Sequence, residues 1–209
     1  MNALAPASPK TRKPKGEGHA RRAEILAAAE RIFVEHGYEG ATIRKIADAV
    51  GLSSTALYMH FADKDAILHE ICVNAFETLR ASHRDRLSDA LPPEVRMRRL
   101  LEDYVAFGFE HPNAYRLIYL TRPDEARHGA QSAAQEVGTE LFQNFQRIVE
   151  QVAAEGRLAV EPRPAAQALW AGAHGVVSLM ITKPYFDWVG RDELTTVMLD
   201  GLIAGLTRR

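Results

Sequence analysis

The chain has 209 residues, of which 46% are hydrophobic and 25% are charged, and its formal net charge is −1. This length suits a small domain followed by a larger one, and the composition can bury a sizeable core. The single cysteine, Cys72, excludes an internal disulfide and a zinc site made of several cysteines. Because no leader-like apolar run begins the chain and no run of about 18 apolar residues follows, we expect a cytoplasmic protein with no membrane partner.

Positive charge is concentrated near the start of the chain. Residues 1–64 hold ten Lys and Arg against seven Asp and Glu, whereas the rest holds 16 against 20. A basic head on an acidic body is typical of a protein that presents one end to phosphates. Residues 1–18 are rich in Pro, Gly and Lys/Arg and poor in bulky apolar residues, which predicts a disordered basic tail. That tail is either an arm that contacts DNA or a solvated leader.

Four helices are predicted in the first 80 residues. The first runs from about His19 to His36 on an apolar stripe and ends at Gly37. Thr42 is a candidate N-cap for a short second helix, and Gly51 follows as a turn. Ser53 caps a short third helix that ends near Phe61, and Asp63 caps a fourth that continues to about Arg80.

The rest of the chain also has helical periodicity. The predicted helices lie near residues 100–108, 112–119, 137–156, 164–182 and 192–206. Alternating strand patterns and repeats of 20–50 residues are missing from the sequence. The predicted fold is therefore all-α, with about nine helices: a three-helix head over residues 19–64 and a helical body over residues 65–209.

The segment from Thr42 to Phe61 has the punctuation of a helix-turn-helix, whose second helix enters the major groove. Because that groove is about 12 Å wide, the exposed start of the entering helix should be small or polar. Ser53, Ser54 and Thr55 satisfy this requirement. Tyr58 and His60 would flank the groove, where a hydroxyl and an imidazole can donate to phosphates.

ATIRKIADAVGLSSTALYMHFADKDAIL (Ala41–Leu68), preceded by AEILAAAERIFVEHGYEGAT (Ala23–Thr42), resembles the DNA-binding signature of the tetracycline-repressor (TetR) family. The resemblance implies that a double-stranded DNA operator is contacted by eight residues: Thr42, Arg44, Ser53, Ser54, Thr55, Tyr58, His60 and Lys64. Lys45 beside Arg44 is either a further contact or a solvated charge. Many members have Lys-Gly where this chain has Ser54-Thr55, so one phosphate contact is lost there.

The body resembles the WHG type of TetR C-terminal domain in HPNAYRLIYL (His111–Leu120) and LWAGAHGVVSLMI (Leu169–Ile181), with Trp170, His174 and Gly175 at the signature positions. This resemblance implies an effector-binding and dimerisation domain. It also implies a homodimer through the last two helices, about residues 164–182 and 192–206, which pack as a four-helix bundle with their symmetry mates.

Aromatic residues of the body could line a pocket for an unidentified small apolar or aromatic effector. The candidates are Tyr104, Phe107, Tyr115, Phe142, Trp170 and His174. The alternative is that these residues form plain core, with His174 a hydrogen-bonded core or interface histidine. Cys72 is expected in the core.

Catalytic and metal-binding motifs are missing, since the sequence has no GxSxG, Walker A, GxGxxG or HExxH pattern. We therefore expect no enzyme activity, no cofactor and no metal site. The predicted function is sequence-specific transcriptional regulation, by a repressor that a small molecule releases from a palindromic operator. Two alternatives are an enzyme or carrier that keeps the head as a relic, and an activator or architectural DNA binder.

Overall fold

A computed structural model of the protein describes residues 17–88, 90–120 and 130–208. Within these residues the chain forms nine α-helices. They are α1 (Glu17–Gly40), α2 (Ile43–Ala49), α3 (Ser54–Tyr58), α4 (Lys64–Ser88), α5 (Pro93–Glu110), α6 (Pro112–Tyr115), α7 (Ala130–Ala154), α8 (Pro162–Thr182) and α9 (Arg191–Leu206). Arg116–Leu120 continues α6 as one π-helical turn. The predicted all-α class is confirmed. Of the predicted tail, residues 1–16 lie outside the described residues, whereas Glu17 and Gly18 belong to α1.

The helix starts predicted in the head are confirmed by their capping hydrogen bonds. Thr42 Oγ1 accepts from the Lys45 amide at 3.2 Å, and Ser53 Oγ accepts from the Ala56 amide at 3.1 Å. Asp63 Oδ1 accepts from the amide of Ala66 at 2.7 Å. Each side chain satisfies one of the amides that the first turn of a helix leaves free, and this fixes where α2, α3 and α4 begin.

Two glycines shape the turns of the head. Gly37 has φ 69°, which interrupts α1 three residues before its end, and Gly51 has φ 66° between α2 and α3. A side chain would strain the backbone at both positions. The turn at Gly51 sets the angle between α2 and α3, so it orients the helix that is predicted to enter DNA.

The head has its own apolar core, built from α1 to α4. Its fully buried members include Ile25, Ile46, Leu57 and Ile67. The helix α4 divides between the two cores: Ile67, Leu68, Ile71 and Cys72 pack in the head cluster, whereas Ala75, Phe76 and Leu79 pack in the body cluster. The first turns of α4 therefore pack with the head, and its later turns pack with the body.

The body packs α5, α7, α8, α9 and the second half of α4 around a larger apolar core. Gly108 permits the close approach of α5 and α8, because a Cβ there would lie 2.3 Å from Val177 Cγ1. Of the candidate effector residues, Tyr104, Phe107 and Tyr115 belong to this core, and Phe142 packs against it. In the described part of the chain, none of the helices is both long enough and apolar enough to cross a membrane.

Several helices are longer than their apolar stripes predict. The structure extends α4 to Ser88, eight residues beyond Arg80, and begins α7 at Ala130 rather than near Val137. A stripe marks only the turns that face the core, whereas Ala- and Gln-rich turns such as the start of α7 continue a helix by propensity. The π-helical turn after Tyr115 has no periodic signal in the sequence.

Candidate functional site: a DNA-facing surface and an aromatic cluster

One side of α3 faces solvent and the other faces the head core. Leu57 is 0% exposed and Phe61 is 3% exposed, whereas Tyr58 is 54% and Met59 is 83% exposed. The predicted groove-facing residues Ser53 and Thr55 are exposed, and Ser54 is partly exposed. Met59 is not among the predicted surface residues, because a methionine in an apolar-rich segment is usually buried.

Arg22 of α1 holds the C-terminal end of α3 in place. Its Nε donates to Glu70 Oε1 at 2.8 Å, and its Nη1 donates to the backbone carbonyl of His60. The guanidinium carbon lies 4.0 Å from the centroid of the Phe61 ring. One planar cation thus joins α1 and α4 to the segment after α3, so the exposed face of α3 is rigidly presented.

The basic residues beside α2 differ in their freedom to reach DNA. The Arg44 side chain is 86% exposed, and its Nε lies 3.8 Å from Asp48 Oδ2. Such an exposed pair is weak, so Arg44 can exchange this partner for a phosphate. Lys45 Nζ donates to the carbonyl of Gly40 at 2.9 Å.

Lys64, predicted to hold the DNA backbone, is engaged within the head. Its Nζ donates to the carbonyl of Tyr38 at 2.9 Å and lies 3.9 Å from the centroid of the Tyr38 ring. Glu39 Oε2 is 4.0 Å away, and the Lys64 side chain is only 26% exposed. This ammonium therefore closes the last turn of α1, where unpaired carbonyls and the helix dipole favour a cation.

In the body, the structure brings together side chains from four helices and the π-helical turn. Tyr104 of α5, Tyr115 of α6 and His174 of α8 meet in a triangle: Tyr115 Oη lies 2.6 Å from His174 Nδ1, Tyr104 Oη lies 3.1 Å from the same nitrogen, and the two hydroxyls are 3.2 Å apart. The Trp170 ring packs against two other rings. Its centroid lies 6.0 Å from the centroid of the His174 ring and 5.8 Å from that of Phe142 of α7. We call these five residues, with Tyr119, the aromatic cluster.

Two aromatic residues lie elsewhere than the predicted site implies. Tyr119, outside the predicted site residues, lies in the middle of the cluster, with ring contacts to Tyr104, Tyr115 and His174 at 5.9, 4.9 and 5.5 Å. Phe107, which was predicted in the site, is buried, and its ring contact among the described residues is with His111 at 5.4 Å. The spacing of Tyr115 and Tyr119, one turn apart, is the signal that could have found Tyr119.

Burial keeps the polar atoms of the cluster uncharged. It raises the pKa of the Tyr104, Tyr115 and Tyr119 hydroxyls above the ordinary value, and it lowers the pKa of His174. The cause in each case is the cost of a charge in an apolar environment. The triangle is therefore a network of neutral groups near pH 7.

The segment after α5 connects the head and body cores. Leu117 packs in the head core, Ile118 packs against both cores, and Tyr115 and Tyr119 lie in the aromatic cluster. Glu30 of α1 reaches the same segment: burial raises its pKa, while a backbone hydrogen bond at Ala114 lowers it. A movement of α6 and its π-helical turn would therefore displace residues in both the head core and the aromatic cluster.

Cys72 is buried in the head core, and burial raises the pKa of its thiol to about 12. A thiol with that pKa is unreactive near neutral pH. Among the described residues, no group of three or more His, Cys, Asp or Glu side chains lies close enough together to hold a metal ion.

Two family profiles match the chain. Residues 25–71 match "Bacterial regulatory proteins, tetR family", and residues 97–202 match "Tetracyclin repressor-like, C-terminal domain". The first covers the helix-turn-helix, and the second covers the aromatic cluster.

Individual relatives of the chain are also named as transcriptional regulators. The chain is 34% identical over 113 residues to the HTH-type transcriptional repressor KstR2 of Mycobacterium tuberculosis, a match that spans 54% of each protein. It is 32% identical over 119 residues to the HTH-type transcriptional activator FasR of Mycolicibacterium smegmatis, spanning 55% of this chain and 53% of FasR. The matches thus span about half the length of these relatives.

Solved structures share the fold. The structure titled as the ketosteroid transcriptional regulator KstR2 of M. tuberculosis superposes with a TM-score of 0.75 at 22% identity, over 90% of this chain and 96% of that one. A protein of unknown function from Rhodococcus sp. RHA1 superposes with a TM-score of 0.71 at 27% identity, over 90% and 95% of the two chains.

Proposed function

This chain belongs to the tetR family of bacterial regulatory proteins, and we propose that it is a dimeric repressor that a small molecule releases from a palindromic operator. The observation that carries the proposal is the α3 surface, a short capped helix with polar residues at its start and an exposed tyrosine at its end. The repressor assignment is supported by the names of KstR2 and of AcnR from Corynebacterium glutamicum, which is 41% identical over 86 residues, 39% of this chain and 41% of AcnR.

DNA recognition in this proposal divides between base edges and phosphates. Ser53, Ser54 and Thr55 lie at the start of α3, where a recognition helix contacts bases. Thr42, Arg44, Tyr58 and His60 are placed to contact phosphates on either side. Met59, exposed next to Tyr58, adds an apolar contact of the kind that distinguishes a thymine methyl. For Lys64 the contacts support positioning of α1 instead.

The dimer in this proposal uses the outer faces of α8 and α9. On α8, Ala171 is exposed, and a Cβ at Gly175, one turn later, would meet no atom within 4 Å. On α9, Val197 is 65% exposed, and a Cβ at Gly201 would likewise meet nothing. Small and apolar exposed residues on both helices support close helix-helix packing with a second copy.

In this proposal, a conformational change in α6, its π-helical turn and α4 releases the protein from DNA. An effector that displaces Tyr115 or Tyr119 in the cluster moves Leu117 in the head core, because these residues share one short segment. The two recognition helices must stay about 34–36 Å apart to occupy successive major grooves. A ligand changes that spacing only by its differential affinity for the two states, and a shift from 1% to 99% release needs about 5.5 kcal/mol.

The direct test is footprinting of the purified protein on DNA flanking its own gene. The proposal predicts protection of a palindrome with half-sites about one helical turn apart. The double variant Tyr58→Ala and Arg44→Ala should lose that footprint and keep its fold. If no palindromic site is protected, or if the double variant protects the site as well as the wild type, the repressor proposal fails.

A second candidate function is activation, because the relative FasR is named an activator. A repressor and an activator would bind DNA with the same head, and they would differ in where the operator lies relative to the promoter. A reporter gene separates the two: repression requires that loss of the protein raise expression, whereas activation requires that its loss lower expression. The regulators named above are not enzymes, and we propose the same for this chain; an enzyme would keep its turnover in the double variant.

A further inference from the structure

The polar centre of the aromatic cluster has a hydrogen-bond donor without a partner when Tyr115 donates its proton to His174. The nearest acceptor for the Tyr115 hydroxyl is His174 Nδ1 at 2.6 Å, whereas the carbonyl of His174 lies at 3.4 Å. With the single lone pair of Nδ1 occupied by this proton, the hydroxyl of Tyr104, which lies 3.2 Å from Tyr115 Oη, can donate to that oxygen. A neutral imidazole that accepts at Nδ1 carries its own proton on Nε2.

That Nε2–H group has no hydrogen-bond partner within the described ranges 17–88, 90–120 and 130–208. The imidazole is only half-buried, and the rings around it are those of Trp170, Tyr115 and Tyr119, at 6.0, 5.6 and 5.5 Å. A donor in such apolar surroundings is satisfied best by an acceptor atom that arrives with an apolar molecule.

The cluster leads from a buried floor to the surface. Tyr115 is 0% exposed and Tyr104 is 5% exposed, whereas Trp170 on the outer side is 38% exposed. Trp170 and the half-buried Phe142 contact each other at 5.8 Å between α7 and α8. If these two rings separated, a path from the surface to His174 would open while the buried Tyr104 and Tyr115 stayed in place.

The side chains of the cluster are unsuited to an anionic ligand. Among the described residues, no hydrogen bond, ion pair or ring contact joins the side chains of Tyr104, Tyr115, Tyr119, Trp170 or His174 to a charged side chain. A carboxylate or phosphate placed here would lose its hydration without gaining a cation. The histidine cannot supply that cation, because burial lowers its pKa.

We propose that the effector is an uncharged, mainly apolar ring compound with a carbonyl oxygen, which accepts a hydrogen bond from His174 Nε2–H while its rings pack between Trp170, Phe142 and Tyr119. This inference rests on the proposed function, since it specifies the effector that the repressor would bind. Tyr115 and Tyr104, whose hydroxyls lie 2.6 and 3.1 Å from Nδ1, act as positioning residues, because a hydroxyl proton donated to Nδ1 keeps the ring proton on Nε2.

The test uses matched triplets of compounds on naphthalene, biphenyl and cyclohexylbenzene frames: a methyl ketone, the corresponding ethyl hydrocarbon and the corresponding carboxylate. Binding to the full-length protein is measured by isothermal titration calorimetry without DNA. On at least one frame the ketone should bind roughly fivefold more tightly than the hydrocarbon, the worth of one hydrogen bond. The carboxylate should bind more weakly than the ketone.

Variants separate the donor from the shape of the cluster. His174→Phe should bind ketone and hydrocarbon equally, whereas His174→Gln, which keeps an N–H donor, should retain part of the preference. His69→Phe, the same kind of change at an exposed histidine of α4, should leave the preference unchanged. Should His174→Phe fail to fold, the double variant Tyr104→Phe and Tyr115→Phe decides, since it removes both hydroxyls that can donate to Nδ1 and must reduce the ketone preference.

Three results would overturn the inference: no ketone binds more tightly than its hydrocarbon, a carboxylate binds best, or His174→Phe keeps the ketone preference. Operator binding is measured separately, so the two proposals fail in different ways. A protein that protects a palindrome but does not prefer ketones contradicts the inference alone. A protein that prefers ketones but protects no DNA contradicts the proposed repressor instead.

Discussion

The ammonium of Lys64 lies 3.9 Å from the ring centroid of Tyr38 and donates to the Tyr38 carbonyl at 2.9 Å. This pair connects the first turn of α4 to the end of α1, on the side of the head where DNA is expected. Lys64 thus contributes to the fold of the head, whereas Arg44 is 86% exposed and makes only a weak ion pair with Asp48. The two cations should therefore respond differently to removal.

Lys64→Ala should lower the free energy of unfolding by about 1 kcal/mol, because it removes a cation–π contact and a charge-assisted hydrogen bond. Arg44→Ala should leave stability unchanged but weaken operator binding, and it should reduce the slope of log K against log salt by about 1. Urea unfolding and salt-dependent binding assays measure the two effects. If Lys64→Ala instead reduced the slope of log K against log salt and left stability unchanged, Lys64 would be a phosphate contact.

Tyr58→Phe removes one hydroxyl from the α3 surface. Since the side chain is 54% exposed and Leu57 fills the core beside it, the melting temperature should stay the same. Operator affinity should fall by roughly three- to tenfold, the worth of one hydrogen bond to a charged phosphate. Tyr185→Phe, at a tyrosine that is 79% exposed in the loop before α9, is the matched control and should bind like the wild type. Equal affinity of the two variants would remove Tyr58 from the interface.

Ala171→Arg places a long cation on the outer face of α8, where the second copy is proposed to pack. The monomer tolerates it because Ala171 is exposed, but a buried unpaired charge in a four-helix bundle is costly. We expect a monomer by sedimentation and loss of operator binding. Ala81→Arg, at an exposed alanine of α4, should remain a dimer. A dimeric Ala171→Arg protein would place the interface elsewhere.

His83 should make the protein less stable in mild acid. It is 5% exposed, and within the described residues neither ring nitrogen has a hydrogen-bond partner. Burial lowers its pKa to about 4, against the opposing charge of Asp103. The unfolded chain, with a histidine pKa near 6.5, therefore binds a proton between pH 6.5 and 4 that the folded chain does not, so stability falls as the pH drops through this window.

The difference is measurable by urea unfolding at pH 7.5 and pH 5. His83→Leu should lose less stability than the wild type over that interval, by about 2 kcal/mol, because the proton no longer has a group to bind in the unfolded state. His36→Leu, at an exposed histidine of α1, should keep the wild-type dependence. An unchanged pH dependence in His83→Leu would mean that His83 titrates normally in the fold.

Gly108→Ala tests the close approach of α5 and α8 beneath the aromatic cluster. The added Cβ would lie 2.3 Å from Val177 Cγ1 and 3.1 Å from Tyr115 Cδ2, so we expect a loss of about 1–3 kcal/mol in the free energy of unfolding. Gly138→Ala in α7 makes only an ordinary contact, 3.6 Å from Phe76 Cζ, and should be neutral or stabilising by up to about 1 kcal/mol. Thermal unfolding of both variants decides, and equal stabilities would contradict the packing.

The sequence by itself determined the head. The caps at Thr42, Ser53 and Asp63 and the glycine turn at Gly51 are local signals, since each side chain acts within three residues of its own position. The face of α3 followed from the same periodicity, which separates Leu57 from Tyr58. Local rules suffice where the chain folds back within a few turns.

Only the tertiary structure decided which body residues meet. Tyr104 and His174 are 70 residues apart in the chain, and their triangle with Tyr115 depends on how α5, α6 and α8 cross. Periodicity assigns a residue to a buried face but does not name its partner across the core. For that reason periodicity alone did not show that the Phe107 ring lies against His111 and outside the aromatic cluster. Likewise, the inward turn of Lys64 depends on where α1 ends relative to α4, which is a property of packing and not of spacing.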